Sequence, residues 1–288
     1  MEDLIKSGQI TKKTREFGVG LIKEGVKYLD VVEKVEAKIV ELGGKPAFPA
    51  DISVNHLAAH DSPTVNDDRV FVKGDVVKLD LGVHINGHIT DTAITVEVTT
   101  NIYQKLIEAS AKALDEACKI VEPGIEVRKI GKVVHDVITS YGYSPIKNLS
   151  GHGLGEYVVH SGFTIPNFDN GDKTKLEKDV VCAIEPFATN GAGSVTEGKN
   201  SGIYAVVRTK NVRDMNARKV LTFISANYQT LPFSVRWIHK EFGNTGLFAL
   251  RLLERDGVIS QYKILPEASK GIVSQKEHTL KVGYGILT

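Results

Sequence analysis

The chain has 288 residues, 42% of them hydrophobic, and a net charge of +1. That length buries a large core in one or two domains, and the near-neutral charge gives no global case for binding nucleic acid or a membrane surface. No apolar run approaches the roughly 18 residues a membrane span needs, and the start, Met-Glu-Asp-Leu-Ile-Lys, lacks the pattern of a signal peptide, so a soluble cytoplasmic protein is expected. Cys118 and Cys182 lie in no CxxC, which argues against structural zinc and a disulfide framework. Each is expected to be a small buried hydrophobe.

Thr14 to Leu42 reads as helical. Val19, Ile22, Val26 and Leu29, then Val32, Val35, Ile39 and Leu42, recur at spacings of three and four. Gly25 and Asp30 divide the stretch into two helices, with Asp30 as N-cap and Gly43-Gly44 ending the second. A turn-like segment through Pro46, Phe48 and Pro49 follows, then an irregular strand ending in His60.

Val70 to Val98 holds a β-hairpin. Its turn is Asn86-Gly87, because a two-residue type I′ turn needs φ > 0 at both central positions. That turn sets Ile85 opposite His88, Val83 opposite Thr90 and Gly82 opposite Asp91. Asp80 then shares a face with Gly82 and Asp91. Gly82, without a side chain, is expected to leave open space beside the two carboxylates. Two like charges so placed need something positive between them, and a divalent cation is the obvious candidate. Taken alone, the pair is more often two solvated acids.

The next section looks like a second copy. Tyr103 to Val121 is helical, Gly124 follows Gly25 by 99 residues, and Gly142 and Pro145 follow Gly43 and Pro46 by the same 99. His160 corresponds to His60, and the strand ending at Glu185 corresponds to the one ending at Asp80. Two such halves predict an α+β domain with pseudo-two-fold symmetry, its functional groups converging on a central cleft. Residues 208–256 have no counterpart in the first half. They carry nine Lys/Arg against four Asp/Glu, and read as a small helical insertion with a third helix from Leu247 to Asp256, stopped by Gly257. The tail, Val273 to Leu287, returns as strand.

Four groups join the aspartates. His152 sits in Gly151-His152-Gly153-Leu154-Gly155, where glycines let backbone approach a crowded site. His160 follows eight residues later. Glu185 ends the apolar strand Val180–Ile184, and a carboxylate buried there demands a partner. Glu277 lies in a polar strand. By themselves, a turn, an ordinary core histidine and an exposed strand end explain most of these equally well. Together, four carboxylates and one or two imidazoles suit Mn, Fe, Co or Zn better than Mg or Ca. Four negative charges are too many for one ion. Two ions about 3.5–4 Å apart balance them, as in hydrolases that acidify a bridging water. His60 and His160 are left to bind a substrate amide or move protons.

At these residues the sequence resembles the methionine aminopeptidases. Lys78–Asp91 looks like their metal hairpin, and Asn148–Gly155 with His160-Ser161-Gly162 looks like the type II form of their histidine motif. Ala183–Phe187 and Gln275–Thr279 fit the two glutamate motifs, and Pro46–Asn55 with Ala58-Ala59-His60 fits the upstream histidine segment. The likeness spans essentially the whole chain. The insertion separates type II from type I, and the short N-terminus is similar to the archaeal proteins. The resemblance implies the pita-bread fold in one catalytic domain, residues 1–288. It implies Asp80 on one metal, Asp91 and Glu277 bridging two, and His152 and Glu185 completing the other. It further implies His60 and His160 at the scissile amide, Glu185 or the metal-bound hydroxide handling the proton, and Phe48, Phe187 and Tyr262 near the methionine side chain. The implied reaction removes the initiator methionine from nascent peptides whose second residue is small. A monomer is the default expectation, since the sequence leaves the oligomeric state open. Pro186 departs from many relatives and removes one backbone donor without moving the carboxylate.

Two rivals stand beside this reading. An aminopeptidase P or prolidase shares the fold but carries a large N-terminal domain, whereas the repeat begins here almost at once. A non-catalytic binding protein on the same fold would have lost metal ligands, and all five are present. The basic insertion is more often a solvated face; docking near ribosomal RNA at the peptide exit is the second explanation.

Overall fold

Helix α1 (Glu2–Leu21) begins at Glu2 rather than Thr14 in a computed structural model that describes residues 1–208 and 210–288. The physical reason is its buried face, built largely from Ser7, Gly8, Thr11, Thr14, Arg15 and Gly18, which gives hydrophobic spacing little to register. The helix docks by hydrogen bonds. The Ser7 hydroxyl donates to the Val83 carbonyl at 2.9 Å, the Thr11 and Thr90 hydroxyls share a 2.7 Å bond, and Arg15 Nη1 donates to Thr92 Oγ1 at 2.6 Å. Helix α2 (Tyr28–Glu41) has Lys27, not Asp30, at its N-cap position. Asp30 lies in the first turn, where its charge still favours the positive end of the helix dipole. Gly43, at φ +88°, closes the helix as expected, and the Gly44 amide donates back to the Ile39 carbonyl.

Strands β1 (Lys45–Pro46), β2 (Asp51–Val54), β3 (Leu57–Ala59), β4 (Val76–Ile85) and β5 (His88–Glu97) follow. The segment at Pro46 is thus a short strand on β4 before it turns. Strand β4 pairs along its length with β5 on one edge and, on the other, with β2 and then β1 in succession. The hairpin has the expected register: Gly82 opposite Asp91, Val83 opposite Thr90, Ile85 opposite His88. Asn86 and Gly87 have φ of +50° and +86°. The space beside Gly82 is not open. A Cβ there would lie 2.2 Å from Cε1 of Phe48, so the glycine admits that ring.

The second half repeats the first with α3 (Gln104–Lys119), α4 (Val127–Ser140), β6 (Ser144–Pro145), β7 (Ser150–Gly155), β8 (Val158–Pro166), β9 (Val181–Ile184) and β10 (Phe187–Thr189). The correspondence reaches individual hydrogen bonds. The Gly25 amide donates to the Phe71 carbonyl and the Phe71 amide to Val26; the Gly124 amide donates to Leu176 and the Leu176 amide to Ile125. Each half has its own apolar core, one under α2 around Val31, Val35, Ile52 and Leu79, the other between α3 and α4 around Leu106, Leu114, Ile130 and Ile184. Cys182 is buried in the second core, while Cys118 is only half-buried; both are free thiols.

Strand β11 (Asn200–Val206), helix α5 (Met215–Asn227), strand β12 (Phe233–Ser234), helix α6 (Val235–Arg255) and strand β13 (Ile259–Lys263) form a third packed unit. It contains the stretch read as an insertion over 208–256, in which Thr209 lies outside the described residues. The helix expected from Leu247 is not separate. It is the second part of α6, which bends at Gly243 (φ +55°, ψ −146°). Gly257, at φ +65°, ends it. The unit's core also takes in Tyr204 and Ile259 on either side of that stretch. Arg236 ties it to α2 by donating to both carboxylate oxygens of Glu36 at 2.6 and 3.1 Å, and Trp237 Nε1 adds a third donor at 2.8 Å.

The tail forms β14 (Leu265–Pro266), β15 (Val273–Gln275), β16 (His278–Lys281) and β17 (Gly285–Ile286). Strand β16 pairs with β9 in one half, while the threonines of β5 hold the tail in the other. Among the described residues no helix is long and apolar enough to cross a membrane.

Candidate metal centre and cleft

The tail is what brings the acidic groups together. The Gln275 amide and Thr95 hydroxyl exchange bonds, Thr92 donates to the Glu277 carbonyl at 2.9 Å, and the Glu277 amide donates to Ala93 at 3.0 Å. Glu277 is thereby laid beside Asp91, with 1% of its surface exposed. On the other side, β7 places His152 next to β9, whose end carries Glu185. Oxygens of Asp91 and Glu277 and a ring nitrogen of His152 all lie within 4.8 Å of one another. His152 Nε2 is 3.8 Å from Asp91 Oδ2 and 3.5 Å from Glu185 Oε1. Asp80 joins from β4, and Gln275 Nε2 donates to it at 3.2 Å while reaching Glu185 at 3.4 Å and Glu277 at 3.5 Å.

One amide group has two hydrogens and cannot serve three carboxylates well. Oδ1 of Asp80, Oδ1 of Asp91 and Oε1 of Glu277 are buried with no hydrogen-bond partner. Burial first, and the neighbouring carboxylates second, push Asp91 and Glu277 well above the usual carboxylate range, and Glu185 follows for the same two reasons. Such a cluster must either take up protons or find a cation, and its mixed carboxylate and imidazole donors suit a divalent metal. The imidazole is ready as well. Nδ1 of His152 faces the Gly153 carbonyl at 3.2 Å, which can only accept, so Nε2 holds the lone pair aimed at the acids. Burial lowers this histidine to about 3, so it is neutral at physiological pH.

All ten residues singled out in the sequence line one cleft of about 710 Å³: Phe48, His60, Asp80, Asp91, His152, His160, Glu185, Phe187, Tyr262 and Glu277. His60 sits at φ +64°, an unusual backbone for a residue with a side chain. Its Nδ1 donates to the Lys263 carbonyl at 3.2 Å and its ring meets Tyr262 edge-on, leaving Nε2 as an acceptor. Burial lowers it to about 4. The His160 ring stands edge-on to His152 with centroids 4.4 Å apart. Ile203 and Pro232, from the third unit, close the apolar side beside Phe48 and Phe187.

Four residues escaped sequence reasoning. Thr279 and Gln275 are ordinary polar residues until the tail is placed. Asp51 lines the cleft opposite Asp80 on the neighbouring strand, and its sequence context offers no signal. Lys78 is fully buried and donates to the carbonyls of Asn55 and Val273 at 2.9 Å and of Val76 at 3.4 Å. It pins the β2–β3 turn to the strand leading into Gln275. Its alternation with Asp80 on β4 is visible in the sequence, but not that the carbonyls of Asn55 and Val273, far apart in the chain, meet at its amine.

The family model for metallopeptidase family M24 matches residues 2–237. The methionine aminopeptidase of Pyrococcus horikoshii is 46% identical over 284 residues, covering 98% of this chain and 96% of that one. The chain belongs to the methionine aminopeptidases of family M24. Family M24 is a metallopeptidase family, so the cluster is the place where a divalent metal would sit. Two solved structures share the fold. A thermophilic Arx1 superposes with a TM-score of 0.84 at 17% identity, covering 97% of this chain and 87% of that one. A methionine aminopeptidase from Thermotoga maritima superposes with a TM-score of 0.72 at 22% identity, covering 100% and 95%. The near-complete coverage of the archaeal relative agrees with the resemblance read from the motifs.

Proposed function

We propose that this chain removes the N-terminal methionine from nascent peptides with a small second residue, in the cytoplasm, as one catalytic unit with 208–256 as a helical insertion. The observation that carries the proposal is the convergence of Asp80, Asp91, Glu185, Glu277 and His152 on one buried point of a cleft that also holds two neutral imidazoles. Asp80 would hold one ion, Asp91 and Glu277 would bridge two, and His152 with Glu185 would complete the second. Mn, Fe, Co and Zn all suit this mixed donor set. Two such ions supply an acidified water as nucleophile and a charge that receives the peptide amine.

The remaining steps belong to the protein. His60 Nε2, the free acceptor, takes a hydrogen bond from the N–H of the scissile amide and so sets the peptide plane. His160, across the cleft, donates to the carbonyl oxygen as negative charge develops there. Glu185 is in reach of the centre to take the proton and return it to the leaving amine. Phe48, Phe187 and Tyr262 enclose the methionine side chain, and the walls at Ile203 and Pro232 exclude water. The protein works as a monomer in this reading.

The test strips metal with a chelator, restores Mn, Co or Fe singly, and follows release of methionine from a Met-Ala-Ser peptide. Metal-dependent release is expected; its absence in all three cases sinks the proposal. Docking of the basic insertion on ribosomal RNA is a separate partner proposal. Charge reversal at Arg213 and Lys219 that leaves ribosome co-sedimentation unchanged removes it. Arg218 is left in place because its guanidinium donates to the Val212 carbonyl.

A further inference from the structure

Five buried side-chain atoms lack a hydrogen-bond partner among the described residues: one oxygen each of Asp80, Asp91 and Glu277, the Thr14 hydroxyl, and Oδ1 of Asp51. Three of the five belong to the metal centre. Asp51 carries the same mark and lies outside the five residues assigned to the ions.

Its position is specific. Asp51 starts β2, directly opposite Asp80 on β4. Opposed residues of antiparallel strands project to the same face with Cα atoms about 4.5–5.5 Å apart. Both side chains line the cleft, and Asp51 is 4% exposed. The charges that act on it most strongly are other acids, Asp80 and Asp61, ahead of Arg236. The cations nearby are already engaged. Arg69 holds Asp61 at 2.7 Å, and Arg236 holds Glu36. Among the described residues no ion pair reaches Asp51. A buried carboxylate facing another carboxylate, with no cation of its own, is costly and persists where something else repays it.

Like Asp80 and Glu185, Asp51 lies outside the tight group of Asp91, His152 and Glu277. Asp80, directly opposite, is already the ligand in the reading above, so a contact through water is the role left to Asp51. We propose that Asp51 is an additional acidic group of the metal centre, holding through a water the ion that Asp80 takes. The proposal rests on the metal-centre reading above. It also links two parts of the machinery, since the His60 backbone amide lies beside the Asp51 carboxylate. One side chain thus faces both the metal ligand Asp80 and the strained backbone of His60.

The experiment is calorimetric titration of Mn(II) into chelator-stripped full-length protein, for the wild type, Asp51→Asn and Asp91→Asn. Asp51→Asn keeps an acceptor for the His60 amide and removes the charge. It is expected to weaken one Mn(II) site about 10- to 100-fold, the range for groups that support ligands, and to leave the other within about threefold. Asp91→Asn should lose tight binding at both. If Asp51→Asn binds as the wild type while Asp91→Asn does not, the Asp51 assignment fails and the metal centre stands. If Asp91→Asn also binds as the wild type, the centre itself is wrong.

Thermal unfolding in chelator separates this role from a structural one. Metal-free Asp51→Asn should melt at or above the wild-type temperature, because Oδ1 has no hydrogen-bond partner to lose and the amide keeps an acceptor for the His60 backbone. A lower melting temperature would make Asp51 a structural group and overturn the assignment. Should the variant not fold, anomalous diffraction from Mn-loaded wild type decides. Asp51 Oδ1 within about 5 Å of an ion, a water-bridged distance, supports the proposal, and an oxygen turned away overturns it.

Discussion

Asp91 and Thr279 grip each other twice. The Asp91 amide donates to Thr279 Oγ1 at 2.7 Å, and that hydroxyl donates back to the Asp91 carbonyl at 2.9 Å. The pair bolts the C-terminal strand to the hairpin at Asp91, the carboxylate proposed to bridge two ions. Thr279→Val removes both bonds at nearly constant volume and leaves a buried amide and carbonyl unpaired. We expect a stability loss of about 2–4 kcal/mol in urea unfolding and metal affinity weakened about 10- to 100-fold. Thr279→Ser should restore most of both; if it does not, the hydroxyl is not the cause.

Ligands and substrate-contacting groups should separate cleanly. Asp91→Asn should lose metal and activity together, measured by metal analysis and methionine release. His160→Ala should keep its metal and lose about 10²–10⁴-fold in kcat. An emptied site in His160→Ala would mean that the division drawn between His152 and His160 is wrong.

Gly82→Ala tests the cleft wall. The added methyl meets the Phe48 ring at 2.2 Å, so the ring must leave its place. KM for a methionine peptide should rise about tenfold or more, with bound metal unchanged, since Asp80 and Asp91 keep their register.

Lys78 is the buried amine on which three carbonyls converge, and burial lowers it to about 7. Lys78→Met should cost about 1–3 kcal/mol in urea unfolding, because the carbonyls stay buried and lose that donor. The effect should appear with metal present or stripped, unlike that of Asp91→Asn.

The metal-free protein should weaken as pH rises above neutrality. Asp91, Glu185 and Glu277 have folded pKa values raised by burial, and Asp80 is raised to about 7. Stability from a raised group is full below its unfolded value and is lost as pH rises through the folded one. The lowered histidines, His60 and His152, work the other way, but only between about 3 and 6.5, so they contribute no slope above that. Lys78 and Lys276, lowered by burial to about 7 and 8, oppose the fall within the window, but four carboxylates outweigh two amines. Melting in chelator from pH 6.5 to 8.5 should therefore fall, while the Mn-loaded protein, whose carboxylates are held ionised, should not follow it.

Much of this molecule was legible in its chain because local rules fixed it. Asn86-Gly87 has one good way to turn, and that alone set Gly82 against Asp91 and put Asp80 on the same face. The paired glycines at 25 and 124, and at 43 and 142, need positive φ at the same two points of each half, so the duplication showed even with few identities. Glu185, at the end of an apolar strand, announced its burial.

Tertiary structure decided the rest, for reasons no spacing carries. Helix α1 docks through hydroxyls and a guanidinium, so its first turns gave no apolar period. Asp30 lost the cap because the preceding chain pairs Lys27 with Val70 and starts the helix earlier. The space at Gly82 was filled by Phe48, a residue 34 positions away. Asp51 acquires meaning only when β2 pairs with β4, since nothing around it in the chain marks it as facing Asp80. The sequence by itself determined which side chains meet in the cleft and the hairpin that presents two of them. Only the folded packing decided what surrounds them, because long-range contacts, not local conformational preference, set burial and hence the charge each group must share.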